Sequence, residues 1–258
     1  MRYFLELRYD GGAYFGWQRQ PAMPTVQQTL EQALATLLRE PVELTGAGRT
    51  DTGVNASYYV AHFDVSQPVA DPPQLLRKLN FMLPGDIAAD TLTPVADGAH
   101  ARFDAREREY RYLLSPHKNP FARHASWQYY VPLDVGRMNE AAAVLAEADD
   151  FTSFAKLNSN NKTNRCRIVE ARWTVGDGGV LCFTIRADRF LRNMVRAIVG
   201  TLVDVGRGRY TPDDFRAIVA SRDLSRSSAG APAQGLFLSD VRYPAEVFER
   251  KTFRKIDL

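Results

Sequence analysis

The chain has 258 residues, 45% of them hydrophobic, enough for one large domain or two smaller ones with a sizeable core. A net charge of +3 excludes a bulk polycation, yet the basic residues are 27 Arg against 6 Lys; Arg grips phosphate bidentately and stacks on bases, while genomic base composition can produce the same ratio without function. Two Cys (Cys166, Cys182) and four scattered His exclude a disulfide framework, a structural zinc site and any ligand spacing of the H-E-x-x-H kind.

Met1-Arg2-Tyr3-Phe4 runs straight into a strand pattern with no signal peptide ahead of it, and no apolar run approaches the roughly 20 residues of a membrane span. The expectation is a soluble, reducing, cytoplasmic protein without a membrane partner. From Arg2 to Asp10, Tyr3, Leu5, Leu7 and Tyr9 alternate with Glu6 and Arg8, which predicts a strand with one buried face. Gly11-Gly12 breaks it. Phe15-Gly16-Trp17-Gln18-Arg19-Gln20 then reads as an aromatic, amide-rich loop, most simply a packed plug. Thr25 and Gln28 form a capping-box pattern ahead of a stripe of Val26, Leu30, Ala33, Leu34, Leu37 and Leu38, so a helix is predicted that ends before Pro41. A short strand over Val42–Thr45, the loop Gly46–Ala56 and a strand over Tyr58–Val65 follow. Leu75, Leu76, Leu79 and Met82 predict a second helix, stopped by Pro84-Gly85. Residues 1–100 thus form an α/β unit of typical domain size, roughly 100 residues.

The second half, 101–258, begins where Arg102, Arg106, Arg108 and Arg111 crowd around Phe103, Tyr110 and Tyr112. Alternation from Glu109 predicts a strand with Tyr110, Tyr112 and Leu114 on one face, which makes a core stripe the plainest reading of both tyrosines. Trp127–Val131 is a short strand candidate, and Asp134 caps a helix through Met138, Ala142 and Leu145. The polar run Asn158–Thr163 reads as a loop, and Arg167–Val175 and Val180–Ala187 as a hairpin about Gly176–Gly179. Asp188–Arg196 is predicted to open the next helix, which runs to about Val205. Arg189, Arg192 and Arg196 lie three and four apart and would line one face of it. Thr211-Pro212-Asp213-Asp214 starts the last helix with an N-cap, an early Pro and acids on its positive end. A loop and a strand near Leu236–Tyr243 close the fold, and the basic tail Arg250–Lys255 reads as a frayed end.

The most informative run is Gly46-Ala47-Gly48-Arg49-Thr50-Asp51-Thr52-Gly53-Val54-Asn55-Ala56. Its glycines free the backbone to press close to a ligand. Arg49 stands two residues from Asp51, within reach of its carboxylate for charge-assisted hydrogen bonds. A tight surface turn with a solvated ion pair explains the same residues. Asp51-Thr52-Gly53 also matches an aspartic-protease triplet, but that chemistry needs two carboxylates, and only a homodimer could supply the second.

The whole string resembles the G-R-T-D-x-G-V-H-A signature of the tRNA pseudouridine synthase A (TruA) family, with Asn55 where that family usually has His. Four further segments resemble it in order: Phe15–Gln18, Ala101–Tyr112, Phe190–Arg196 and Ala231–Leu236. The resemblance implies an α/β fold of the α+β type: two domains with adjoining, mainly antiparallel sheets flanked by helices and a basic cleft between them. It implies uridine-to-pseudouridine isomerisation at positions 38–40 of the tRNA anticodon arm, a homodimer and no cofactor. It places Asp51 as the nucleophile, Tyr110 and Arg49 against the target nucleotide, and Gln18, Arg19, Arg189, Arg192 and Arg196 as RNA contacts. A non-catalytic tRNA-binding module on the same scaffold is the remaining alternative; an acid facing phosphates has no use there.

Overall fold

A computed structural model describes residues 1–156 and 163–248. The polar run expected at 158–163 falls outside them except for Thr163, and so does the tail 250–255. The elements in chain order are β1 (Arg2–Tyr9), α1 (Val26–Leu38), β2 (Thr45–Gly46), β3 (Asn55–Asp64), α2 (Pro72–Met82), β4 (Ile87–Val95), β5 (Glu107–Ser115), β6 (Trp127–Gln128), α3 (Val135–Glu147), β7 (Ile168–Val175), β8 (Leu181–Ala187), α4 (Met194–Gly206), α5 (Pro212–Ser221) and β9 (Leu236–Arg242).

The mixed α/β class holds, but the adjoining sheets are fused into one. Its order is β4-β1-β3-β9-β5-β8-β7, with β2 on β3 and β6 on β5. Neighbours along that path are antiparallel except β3 and β9, whose parallel seam has two residue pairs, Asn55 with Phe237 and Ala56 with Leu238. β9 therefore joins the first half to the second. Two apolar clusters flank the seam. One gathers β1, α1 and α2 side chains such as Leu5, Leu7, Leu30 and Leu79, and takes Leu238 and Val241 from β9. The other gathers Tyr112, Leu145, Phe183, Ile198 and Phe215 under α3, α4 and α5, and takes Val54 from the first half.

The opposite face of the sheet carries several ion pairs. Arg8 pairs with Asp90, Arg111 with Glu109, Arg186 with Glu170 and Arg242 with Asp240. The Arg8 and Arg186 pairs join neighbouring strands, while the Arg111 and Arg242 pairs lie along one strand, each worth only about 0.2–1 kcal/mol where exposed.

Local signals set most boundaries. Thr25 Oγ1 accepts from the Gln28 N–H at 3.4 Å, the expected cap of α1. Thr211 and Asp214 form a full capping box at α5. Four expectations need correction. Only Thr45–Gly46 of the segment from Val42 pairs as a strand, and only Trp127–Gln128 of the segment to Val131. β4 is an additional strand; it lies at the sheet edge, where the missing N–H of Pro94 breaks no ladder on its open side. The helix expected to open with the stretch from Asp188 begins only at Met194, because Asn193 is left-handed at φ 64, which interrupts any helix before it. Arg189 and Arg192 are therefore not on a helix face; only Arg196 is.

His62 on β3 is buried, and its Nδ1 accepts from the Ala101 N–H at 3.1 Å. Burial, with the Arg2 charge and His100 adding to it, pulls its pKa down to about 4. The unfolded chain therefore takes up this proton first, near pH 6.5. Stability from His62 should be complete above about pH 6.5 and lost as pH falls toward 4. Urea denaturation across that range should show the decline, with a flatter slope in His62→Asn.

Candidate active site

The Asp51 loop is built on three buried rings. Tyr9 OH meets Thr50 Oγ1 at 2.8 Å, Tyr59 OH donates to the Gly48 carbonyl, and the Trp17 ring stacks on Tyr59 at 4.1 Å. Burial pushes both phenols far above the usual tyrosine value, so they remain neutral hydrogen-bonding groups. The aromatic plug read at Phe15–Gln20 is therefore real for Trp17, and it forms the seat of the loop. The backbone is tied as well. The Trp17 N–H donates to Thr50 O at 3.3 Å, Gly53 N–H to Tyr14 O at 3.3 Å, and Val54 N–H to Asp51 O at 3.1 Å. Gly53 turns at φ 76 and Gly16 at φ 88, both in the left-handed region, and a Cβ at Gly16 would strike the Thr50 carbonyl. These contacts make the loop a fixed ledge rather than a hinge.

Two side chains fasten the ledge to the second half. Asn55 accepts from the Gly11 N–H at 2.8 Å and donates to the Gln234 carbonyl at 2.9 Å, a bridge buried beside the β3–β9 seam. This gives the residue that departs from the family signature a structural task. Arg108 on β5 donates to four carbonyls: Ala105 at 2.9 Å, Asp188 at 3.0 Å, Ala47 at 3.0 Å and Arg102 at 2.6 Å. Desolvation lowers its pKa, yet every terminal nitrogen is engaged.

Asp51 points into an open cleft of about 320 Å³ lined by Asp51, Thr52, Lys156, Arg192, Asn193 and Arg196 with Leu224. Its carboxylate, 27% exposed, meets Arg192 Nε at 3.3 Å. That is looser than the 2.7–2.9 Å of a tight charge-assisted bond, and the guanidinium is 60% exposed. The expected Arg49–Asp51 pair does not form; Arg49 is exposed, with no hydrogen bond or ion pair among the described residues. Arg192 arrives from the turn before α4 instead. Tyr110 is half-buried against Phe190, with ring centroids 5.1 Å apart and planes at 89°. Burial pushes its phenol up to about 12; Arg108 opposes the shift and nearby Asp51 adds to it.

The remaining expected contacts separate. Arg196 lines the cleft, with its Nε on the Ala231 carbonyl at 2.6 Å. Gln18 is exposed directly after Trp17. Arg19 is drawn to the buried carboxylate of Glu31 at 3.2 Å and is not part of the lining. Arg189 is half-buried near the Cys166 thiol, where its charge acts, and is not part of the lining either. Among the described residues no group of His, Cys, Asp and Glu could hold a metal ion, and no helix is long and apolar enough to cross a membrane.

The family profile described as tRNA pseudouridine synthase matches residues 7–104 and 141–244. The chain belongs to the tRNA pseudouridine synthase family. Its relatives include a protein called tRNA pseudouridine synthase A from Parabacteroides distasonis, 51% identical over 96% of this chain and 98% of that one. The protein of that name from Porphyromonas gingivalis is 51% identical over 96% and 99%. The one from Gloeobacter violaceus is 40% identical over 96% and 82%. Membership makes this chain an isomerase.

Sequence reading missed Asn193 and Leu224 in the cleft and the anchoring by Arg108 and Asn55. For Leu224 no local signal exists, because it reaches the cleft from beyond α5 by tertiary packing. Arg108 was visible only as one of a crowd. Arg108→Met should leave carbonyls from three segments without their donor and destabilise the protein by about 2–4 kcal/mol. Urea denaturation measures the loss, and hydrogen exchange should rise first at residues 46–53.

Proposed function

We propose that this protein isomerises uridine to pseudouridine at positions 38–40 of the tRNA anticodon stem-loop, with Asp51 as the acting carboxylate, and that it works as a cytoplasmic homodimer. The observation that carries the reading is the Asp51 carboxylate on a rigid ledge, facing a cleft walled by Arg192, Arg196 and Lys156. Family membership supplies the reaction class. The N1–C1′ bond breaks, the uracil turns, and C5 bonds to C1′. C5 gives up its proton and N1 gains one, so no electrons are exchanged with an outside partner and no nucleotide triphosphate is consumed.

The residues divide the work. The target base must leave its stack, which costs roughly a few kcal/mol. Arg49, exposed at the loop tip, fills the vacated space. Asp51 then acts on the nucleotide, by addition to C6, by addition to C1′, or as the base of a glycal route. Arg192 holds the carboxylate loosely, so an incoming phosphate can draw the guanidinium away without a large penalty. Tyr110 keeps its proton at neutral pH, since its phenol titrates near 12. It offers a ring edge and a neutral O–H donor to the turning base. Arg196 and Lys156 bind the RNA backbone, and the exposed Gln18 is a further RNA contact. Arg19 and Arg189 act on RNA at most from outside the cleft wall.

Asp51→Asn should fold and bind unmodified tRNA as the parent does and form no pseudouridine; product from a folded variant rejects the assignment. Tyr110→Phe should reduce turnover more than tRNA affinity, measured by single-turnover mapping beside gel-shift titration. If three phosphates are neutralised, tRNA affinity should fall roughly 20–40-fold between 50 and 200 mM salt.

A further inference from the structure

Phe103 is 74% exposed, although it follows a segment whose Ala99 and Ala101 are buried. Its ring is not loose. The Arg102 guanidinium carbon lies 5.6 Å from the ring centroid, and the His100 ring lies 4.2 Å away, tilted by 35°. The turn beneath is closed by its own bonds. His100 Nδ1 accepts from the N–H groups of Arg102 at 3.1 Å and Phe103 at 3.3 Å. The His100 N–H donates to Asp104 Oδ2 at 2.7 Å, and the Asp104 N–H to the His100 carbonyl at 3.0 Å.

This turn is fastened to the Asp51 ledge. One Arg108 nitrogen donates both to the Arg102 carbonyl at 2.6 Å and to the Ala47 carbonyl at 3.0 Å. Residues 102–103 therefore stand beside the loop that carries Arg49 and Asp51. The exposed neighbours along the chain are cations, Arg102 and Arg106, and Arg49 is exposed on the adjoining loop. The nearest acid, Asp104, is turned to backbone.

We propose that Phe103, framed by Arg102, is a stacking platform for an unstacked nucleobase of the substrate RNA, at a subsite beside the Asp51 cleft; this rests on the RNA-modifying reading above. A planar ring on a fixed backbone loses little freedom when a base settles on it. Guanidinium groups around it match a ligand that is planar, π-rich and bears phosphates on both sides. A protein partner would need a wider apolar area than one ring among arginines. Base–aromatic stacking tolerates any base, so the subsite adds grip and register without base identity.

The test uses unmodified tRNA with the full-length protein in two forms, the parent and an Asp51→Asn background that blocks turnover. In both, Phe103→Ala and Phe103→Leu should weaken binding roughly tenfold, as loss of one stacked base does, and Phe103→Trp should restore it to within about twofold. Thermal unfolding should be unchanged, since the ring supports no core. The F103W variant should also lose indole fluorescence on RNA addition, measured against the same titration of protein carrying Phe103. Parent-like affinity in Phe103→Ala, full rescue by Leu, or no fluorescence change in F103W overturns the platform. Pseudouridine formation by the parent is scored alongside. If it fails while the affinity series holds, the assigned reaction is wrong and the RNA subsite stands.

Discussion

One guanidinium holds the candidate site in register. Arg108 reaches from β5 to carbonyls at 47, 102, 105 and 188, three stretches far apart in the chain. Desolvating a cation is unfavourable, and its depressed pKa reports that. The arrangement is stable because four carbonyls, which also need donors, are satisfied by the same group. The direct sheet connection between the halves is short, two residue pairs of the β3–β9 seam. Arg108 and the Asn55 bridge reinforce it where precision is needed, between the ledge bearing Asp51, the strand bearing Tyr110 and the segment leading to Arg192.

The charge of the molecule is arranged, not merely counted. On the face of the sheet away from the helices, Arg8 and Arg186 meet acids on neighbouring strands, and Arg111 and Arg242 meet acids on their own. In the cleft the balance differs: Arg192, Arg196 and Lys156 surround one carboxylate, Asp51. A chain near neutrality overall therefore presents a locally positive groove, where the field and not the net charge draws a polyanion. The loose Asp51–Arg192 contact suits such a groove, since a pair this open is easily exchanged for a ligand's phosphate.

The same distinction separates what was readable from what was not. Asp51 of the cleft lining stood out in the sequence because it sits in an ordered string of unusual residues. Helices α1, α3 and α5 were legible because a cap and an apolar stripe are local facts. The start of α4 was not, because its apolar spacing continues through Leu191 while the backbone of Asn193 departs from the helix. β4 was hidden by alanines and a proline, residues poor in strand propensity that an edge position accepts. Arg49 was expected beside Asp51, and Arg189 and Arg192 on one helix face. They ended as an exposed loop tip, a neighbour of Cys166 and the partner of Asp51.

The sequence by itself determined the α/β class, the family and most element boundaries, because periodicity, capping and an eleven-residue motif are written in consecutive residues. Tertiary structure alone decided that the halves share one sheet, that Arg192 rather than Arg49 meets Asp51, and that Arg108 and Asn55 lock the ledge in place. Those outcomes depend on contacts across 61 to 179 residues of chain. The hydrogen bonds that make them go to backbone carbonyls and to one carboxylate; every residue carries the first and many the second, so no residue type announces which will be chosen.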